Sequence, residues 1–140
     1  LLDGSDLIIA QEFLPTEFDW RIGVLGGEPL FACKYFMAHS HWQIMDWRKA
    51  GKARYGGHET VAVEEAPPGV VKLAVKISSL IGDGLYGVDI KTSGGEAYVI
   101  EINDNPNIDA GVEDLVLKDE LYRRLAGYFL RRVQHRRDGQ

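Results

Sequence analysis

Gly87-Val88-Asp89-Ile90 and Val99-Ile100-Glu101-Ile102-Asn103-Asp104-Asn105-Pro106 are the two stretches on which the reading of this chain turns. Residues 86–92 and 97–103 read as strands around a Ser93-Gly94-Gly95 turn, because both runs are rich in β-branched residues and glycine suits a tight turn. Within a strand, residues two apart share a face, so Glu101 and Asn103 point the same way among Val99, Ile100 and Ile102. Asp89 on the preceding strand can join them. The three offer only oxygen ligands, a set that suits Mg²⁺, with Mn²⁺ as the substitute, and does not suit Zn²⁺. Magnesium takes one or two carboxylates and completes its shell with water and substrate phosphate, so the set implies a nucleotide. The plain alternative is that Glu101 and Asn103 are solvent-facing strand residues and Asp89 is incidental.

Parity makes the expectation testable. A regular two-residue Gly94-Gly95 loop pairs residues whose numbers sum to 189, which sets Asp89 opposite Ile100 and turns it away from Glu101 and Asn103. For all three to share a face the sum must be even. An odd-length loop or a β-bulge is therefore expected between these strands.

Working outward, residues 7–14 read as a buried strand, and residues 20–25 and 30–37 as two more around a Gly26-Gly27 hairpin turn. Residues 38–64 lack a clean period and carry Gly51, Gly56 and Gly57, which reads as a long functional loop. Pro67-Pro68-Gly69 opens a helix with Val70, Leu73, Ala74, Ile77, Leu80 and Ile81 at helical spacing, closed by Gly82. A last helix is expected over about residues 115–136, with Leu117, Leu121, Leu125, Tyr128, Phe129 and Val133 as its core stripe. The order predicts an α+β fold, a mainly antiparallel sheet with helices on one face.

Other candidates are weaker. Gln11-Glu12-Phe13-Leu14-Pro15 would leave a sheet at a proline with backbone groups free for a purine edge, or it is simply a capped strand end. Asp19 and Arg21 share a strand face; Arg21 could bind a carboxylate or phosphate in bidentate fashion, or form a cross-strand ion pair. Lys34 could face the same cleft. Trp42 and Trp47, in the long loop, could cover a nucleotide or fill an interface. His39, His41, His58 and His135 lack zinc-ligand spacing.

Bulk properties narrow the classes. The 140 residues make one domain with a real core, and no apolar run nears the roughly 20 residues of a membrane span. A net charge of −5 argues against general nucleic-acid binding, and the arginines of the C-terminal stretch read as a solvated helix face. The lone Cys33 excludes an internal disulfide and points to a reducing, cytoplasmic compartment. The start at Leu1, without Met or a basic leader, reads as an excised piece.

Taken in order, Gln11-Glu12-Phe13-Leu14, Asp19-Trp20-Arg21, Leu85-Tyr86-Gly87-Val88-Asp89-Ile90 and Glu101-Ile102-Asn103-Asp104-Asn105-Pro106-Asn107 resemble the ATP-grasp superfamily, most closely its RimK-like glutamate ligases and their glutathione synthetase-like kin. The resemblance covers residues 11–114 and implies the C-terminal part of an ATP-grasp domain, residues 1–140, within a longer ligase. It implies that Glu12 and Phe13 contact adenine with Leu14 close by, that Asp19 binds the ribose, and that Arg21 lies near the phosphates or the acyl intermediate. It also implies that Asp89, Glu101 and Asn103 hold two Mg²⁺ with Glu101 bridging. The implied reaction is ADP-forming carboxylate–amine ligation through an acyl phosphate, with ATP and small-molecule or peptide and protein substrates as partners. Where RimK-like ligases carry Arg-Ser-Asn, this chain has Gln43-Ile44-Met45. A non-catalytic nucleotide-binding module and an ATP-grasp phosphotransferase are the competing readings. Self-association through surface that another part of the grasp would cover is a further expectation.

Overall fold

The computed structural model describes residues 11–38, 44 and 56–139. Five strands form one antiparallel sheet: β1 (Phe18–Leu25), β2 (Glu28–Phe36), β3 (His58–Val61), β4 (Leu85–Ser93) and β5 (Glu96–Asn103), in spatial order β3-β2-β1-β4-β5. Among the described residues two α-helices, α1 (Pro68–Ser79) and α2 (Asp119–Asp138), accompany the sheet in an α+β fold. The expected strand from residue 7 lies outside the described residues as far as residue 10, and residues 11–16 belong to no regular element. Trp42, Trp47, Gln43, Met45, His39 and His41 also lie outside them.

Alternation along the strands gives the sheet two unlike faces. Trp20, Ile22 and Val24 of β1, Ala32 of β2, and Tyr86, Val88 and Ile90 of β4 point to one face and are buried. α1 lies on that face and buries Val70, Ala74 and Ser78, which are four residues apart and so line one stripe. Pro68 sits in its first turn, where the missing N–H costs nothing. The helix ends at Ser79, earlier than the apolar spacing predicts. Leu80 and Ile81 therefore fall past its end and are 74% and 56% exposed. Ser78 is buried without penalty because its hydroxyl donates to the Ala74 carbonyl at 2.8 Å.

The second face carries a smaller core of Leu25, Leu30, Phe31, Cys33 and Leu121, with Ile108, Leu117, Leu125 and Tyr128 against it. The expectation of helices on one face describes α1; α2 seats its first turns on the other side of the sheet. α2 begins at Asp119 and not near residue 115, after a run of turns, because Lys118 takes a left-handed φ of 51° that no helix continues through. Leu121 is fully buried, whereas Phe129 and Val133 of the expected stripe are 43% and 53% exposed. Tyr128 docks the helix: its hydroxyl donates to the Asp83 carbonyl, and its ring lies against Gly26. Gly26 and Gly27 have φ of 59° and 83°, so the hairpin turn needs glycine on conformational grounds as well.

The long loop expected over residues 38–64 contains two elements that its composition hid. β3 pairs with β2, and a 3₁₀ turn, Val63–Glu65, leads into α1. β3 is only four residues long and takes its place as an edge strand by pairing with a strand distant in sequence.

Candidate functional site

The second face carries the polar constellation, and β-bulges decide its membership. From the Gly94-Gly95 turn, β4 and β5 pair as Ser93↔Glu96, Thr92↔Ala97, Lys91↔Tyr98 and Ile90↔Val99, the register of a plain two-residue turn. The register then shifts, and Asp89 pairs with Glu101, Val88 with Ile102 and Gly87 with Asn103. Ile100 is the extra residue. The expected bulge is therefore present, and it turns Asp89, Glu101 and Asn103 to one face.

Arg21 pairs with Asp89 across β1 and β4, so a transverse row runs Thr60, Cys33, Arg21, Asp89, Glu101 from edge to edge of the sheet. Arg21 grips Asp89 in bidentate fashion, Nε to Oδ1 and Nη2 to Oδ2, both at 2.7 Å. This is the strong fork geometry of a charge-assisted pair, and it is mostly shielded from water. The Asp89 hydrogen bond, outweighing burial, raises the guanidinium pKa further above its ordinary value, so Arg21 is a fixed cation. The Tyr35 ring lies 5.1 Å from its guanidinium carbon. Nη1 is not engaged by the pair.

Glu101 is exposed, with no hydrogen bond or ion pair to any described residue. Asn103 accepts from the Asn105 backbone N–H at 3.0 Å through Oδ1, which shapes the Asn-Pro-Asn loop and leaves that oxygen a second lone pair. Pro106 folds back over β4: a Cβ on Gly87 would meet the Pro106 Cβ at 2.8 Å. A side chain at this position would collide with the Pro106 ring, which glycine leaves room for. Among the described residues no group of three or more His, Cys, Asp and Glu side chains forms a metal cluster. The set is two carboxylates and an amide, and Arg21 already neutralises one carboxylate. Hard oxygen donors with an unpaired Glu101 fit Mg²⁺ that brings phosphate ligands of its own.

A second pair lies beside the first with its polarity reversed. Lys91 of β4 places Nζ 2.5 Å from Asp19 Oδ1 and 2.7 Å from Thr16 Oγ1, and Thr16 donates to the same Asp19 oxygen at 3.1 Å. Both side chains of the pair are 12% exposed. Lys91 carries no signal in the sequence, because its partner is on a strand 72 residues away.

A strap crosses the β2 and β3 end of this face. Glu113, 1% exposed, accepts from the Tyr35 hydroxyl and from the Asp109 N–H at 2.8 Å, and Thr60 donates to the Val112 carbonyl at 2.7 Å. Burial first, then the bond to Glu113, pushes the Tyr35 phenol well above its ordinary range. Burial also pushes the Cys33 thiol up to about 11, against a lesser pull down from Thr60. Cys33 is thus a neutral, fully buried side chain at pH 7 and no nucleophile.

Lys34 does not share the cleft. It pairs with Trp20 in register, places Nζ 5.5 Å and 5.6 Å from the Trp20 and Phe18 ring centroids, and bonds Glu59 at 2.8 Å, all on the face of α1. Glu12 and Phe13 are exposed and Leu14 is half-buried. Thr16, two residues on, ties that segment to the Asp19–Lys91 pair.

No family model matches the chain, and no curated protein does. Solved structures match its fold. D-Alanine–D-alanine ligase from Bacillus anthracis superposes on 88% of this chain with a TM-score of 0.61 and 14% identity, over 42% of its own length. The ATP-grasp ligase PsnB, complexed with a phosphomimetic variant of its minimal precursor, Mg and ADP, matches 80% with a TM-score of 0.51 and 23% identity, over 34% of its length. A second PsnB structure, with minimal precursor, matches 79% with a TM-score of 0.51 and 22% identity, over 36% of its length. The chain spans less than half the length of each of these three.

Proposed function

We propose that this chain is the nucleotide- and magnesium-binding C-terminal part of an ATP-grasp ligase of the RimK-like kind, one that joins a carboxylate to an amine through an acyl phosphate with release of ADP. The observation that carries the reading is the bulge at Ile100, which sets Asp89 opposite Glu101 and brings Asn103 onto the same face. The similarity to the solved ligase structures supports it, one of them the ATP-grasp ligase PsnB complexed with a phosphomimetic variant of its minimal precursor, Mg and ADP.

Asp89, Glu101 and Asn103 would hold Mg²⁺, which supplies charge neutralisation and alignment of the γ-phosphate. Asp19, Arg21, Asp89, Lys91 and Glu101 together carry three negative and two positive charges, which leaves Glu101 as the carboxylate of this set with no cation beside it. Arg21 fixes the Asp89 carboxylate and keeps Nη1 for an anionic oxygen of the phosphates or acyl group. Asp19 faces the sugar, and Glu12, Phe13 and Leu14 lie along the adenine. Substrates are a small or peptide-borne acid and an amine. No protein nucleophile is required, in keeping with a neutral, buried Cys33.

A nucleotide-binding module without catalysis is the second reading. It is favoured by the Arg21–Asp89 clamp, since both oxygens of the central carboxylate already accept from a cation. Calorimetric titration with ATP, with and without Mg²⁺, tests the site. Binding that needs Mg²⁺ and is lost in Glu101→Gln/Asn103→Ala is expected. Binding of equal strength in that folded double variant overturns the metal assignment. ADP release that depends on both an acid and an amine separates the ligase from the module.

A further inference from the structure

The proposed nucleotide site leaves one neighbouring group without a task. Lys91 is nearly buried, its ammonium bonds two side chains, and nothing in the metal constellation calls for it. The manner of bonding matters. Lys91 and Thr16 both donate to Asp19 Oδ1, and no described residue donates to Oδ2. A lysine serving only to neutralise a buried carboxylate has no reason to share a single oxygen with a hydroxyl while the other oxygen goes without. A shielded ion pair is also a poor source of stability, since desolvation offsets its attraction. A carboxylate held at one oxygen by two donors is fixed in rotation about its Cβ–Cγ bond. It offers the other oxygen, with both lone pairs, to an incoming donor.

We propose that Lys91 and Thr16 are positioning residues that lock the Asp19 carboxylate so that Oδ2 receives the vicinal hydroxyls of a sugar. This rests on the nucleotide reading above and deepens it. Asp19 is on the face of Arg21 and Asp89, one alternation away from Arg21 along β1, and a ribose between a base and a metal-bound phosphate presents such a pair of donors. A carboxylate accepting from ribose hydroxyls is a recurrent solution to nucleotide recognition.

The test compares Mg²⁺-ATP with its 2′-deoxy and 3′-deoxy analogues by calorimetry on the wild-type chain and on Lys91→Met, Lys91→Arg and Thr16→Val, each checked for folding by circular dichroism. The wild type is expected to prefer ATP over either deoxy analogue by roughly tenfold, the scale of one hydrogen bond to a charged group. Lys91→Met should weaken ATP binding by a similar factor and shrink the discrimination to about twofold, and Lys91→Arg should restore both. Thr16→Val should shrink it part of the way, and it decides the matter if Lys91→Met does not fold. Unchanged discrimination in folded Lys91→Met, or in Thr16→Val where that variant decides, overturns the positioning role and leaves the nucleotide site standing. A wild type that binds ATP and both analogues equally does the same. A wild type that binds no nucleotide overturns both.

Discussion

The two faces of the central sheet are made by alternate residues of the same strands, yet they obey opposite rules. Under α1, Ile22, Val88 and Ile90 are fully buried beside Trp20, and each side chain is there to exclude water. One residue along each strand, the other face holds Asp19, Arg21, Asp89 and Lys91, four charges in two crossed pairs, with Glu101 next to them. Burying apolar area stabilises by about 25 cal/mol per Å², whereas a shielded ion pair roughly breaks even against apolar side chains of the same size. The first face is what folding alone would select. The second adds little to stability, and the proposed site for a charged ligand would account for it.

Variants that interrupt each face separate the two rules. Ile22→Ala should cost most, about 4 kcal/mol, because the fully buried side chain leaves a cavity under α1. Urea denaturation measures it, and a loss below about 1 kcal/mol would mean that this face is not the main core. Arg21→Met should cost about 3 kcal/mol by the same measurement, since it strands Asp89, which is 8% exposed. Adding Asp89→Leu should recover most of that loss, while nucleotide binding stays abolished. A double variant no more stable than the single one would make the pair a true stabiliser and remove the contrast between the faces.

Much of this was legible beforehand, and the failures have one cause. With two glycines at each hairpin turn, regular pairing is the default, and the need for Asp89 to join Glu101 forced a bulge between β4 and β5. The bulge is there, at Ile100. The same argument fails on the other hairpin. Leu25↔Glu28 and Val24↔Pro29 keep the two-residue register, which extended along the strands would have put Lys34 opposite Asp19. A second shift between Gly23 and Val24, with Leu30 as the extra residue, puts Cys33 opposite Arg21 and sends Lys34 to the α1 face. Leu30 is 4% exposed in the small core with Leu121, so tertiary packing set this register and no local pattern announced it. Lys91, Tyr35 and Glu113 escaped notice for a related reason. Their partners are 72, 78 and 78 residues away, and a lone lysine, tyrosine or glutamate looks the same whether it meets solvent or a buried partner. β3 was missed because its pairing with β2 is likewise long-range.

A smaller effect probes how the polar face is built. Gly87 is opposite Asn103 and under Pro106, and an alanine methyl there would approach the Pro106 Cβ to 2.8 Å. Gly87→Ala should cost about 2 kcal/mol through overpacking. It should also loosen the Asn105-Pro106-Asn107 loop and with it the Mg²⁺ dependence of nucleotide binding. Comparable losses of stability with an intact metal dependence would show that the loop's seat on β4 does not set the geometry of Asn103.

The smallest effect comes from Cys33, an apolar-behaving residue on the charged face. Its thiol titrates at about 11 in the fold, against an ordinary value of 9.0, chiefly because of burial. A raised pKa means that the folded chain keeps a proton that the unfolded chain releases. The unfolded state then binds fewer protons, and stability falls as pH rises. The contribution is fully present below about pH 9 and is lost progressively from pH 9 to about 11, the part lost by pH 9.5 being just under about 1 kcal/mol. Tyr35, shifted in the same direction by burial and by Glu113, adds a fall of the same sign further into alkali. Urea denaturation from pH 7 to 10 should therefore show a decline that starts near pH 9 and flattens in Cys33→Ala. Its persistence unchanged in that variant would move the cause to Tyr35 or to the ion pairs. An alkaline decline traced to Cys33 would show that even the uncharged part of the polar face is dry, so that the charges of Arg21 and Asp89 are flanked by a low-dielectric wall on the β2 side and open toward Glu101 on the other.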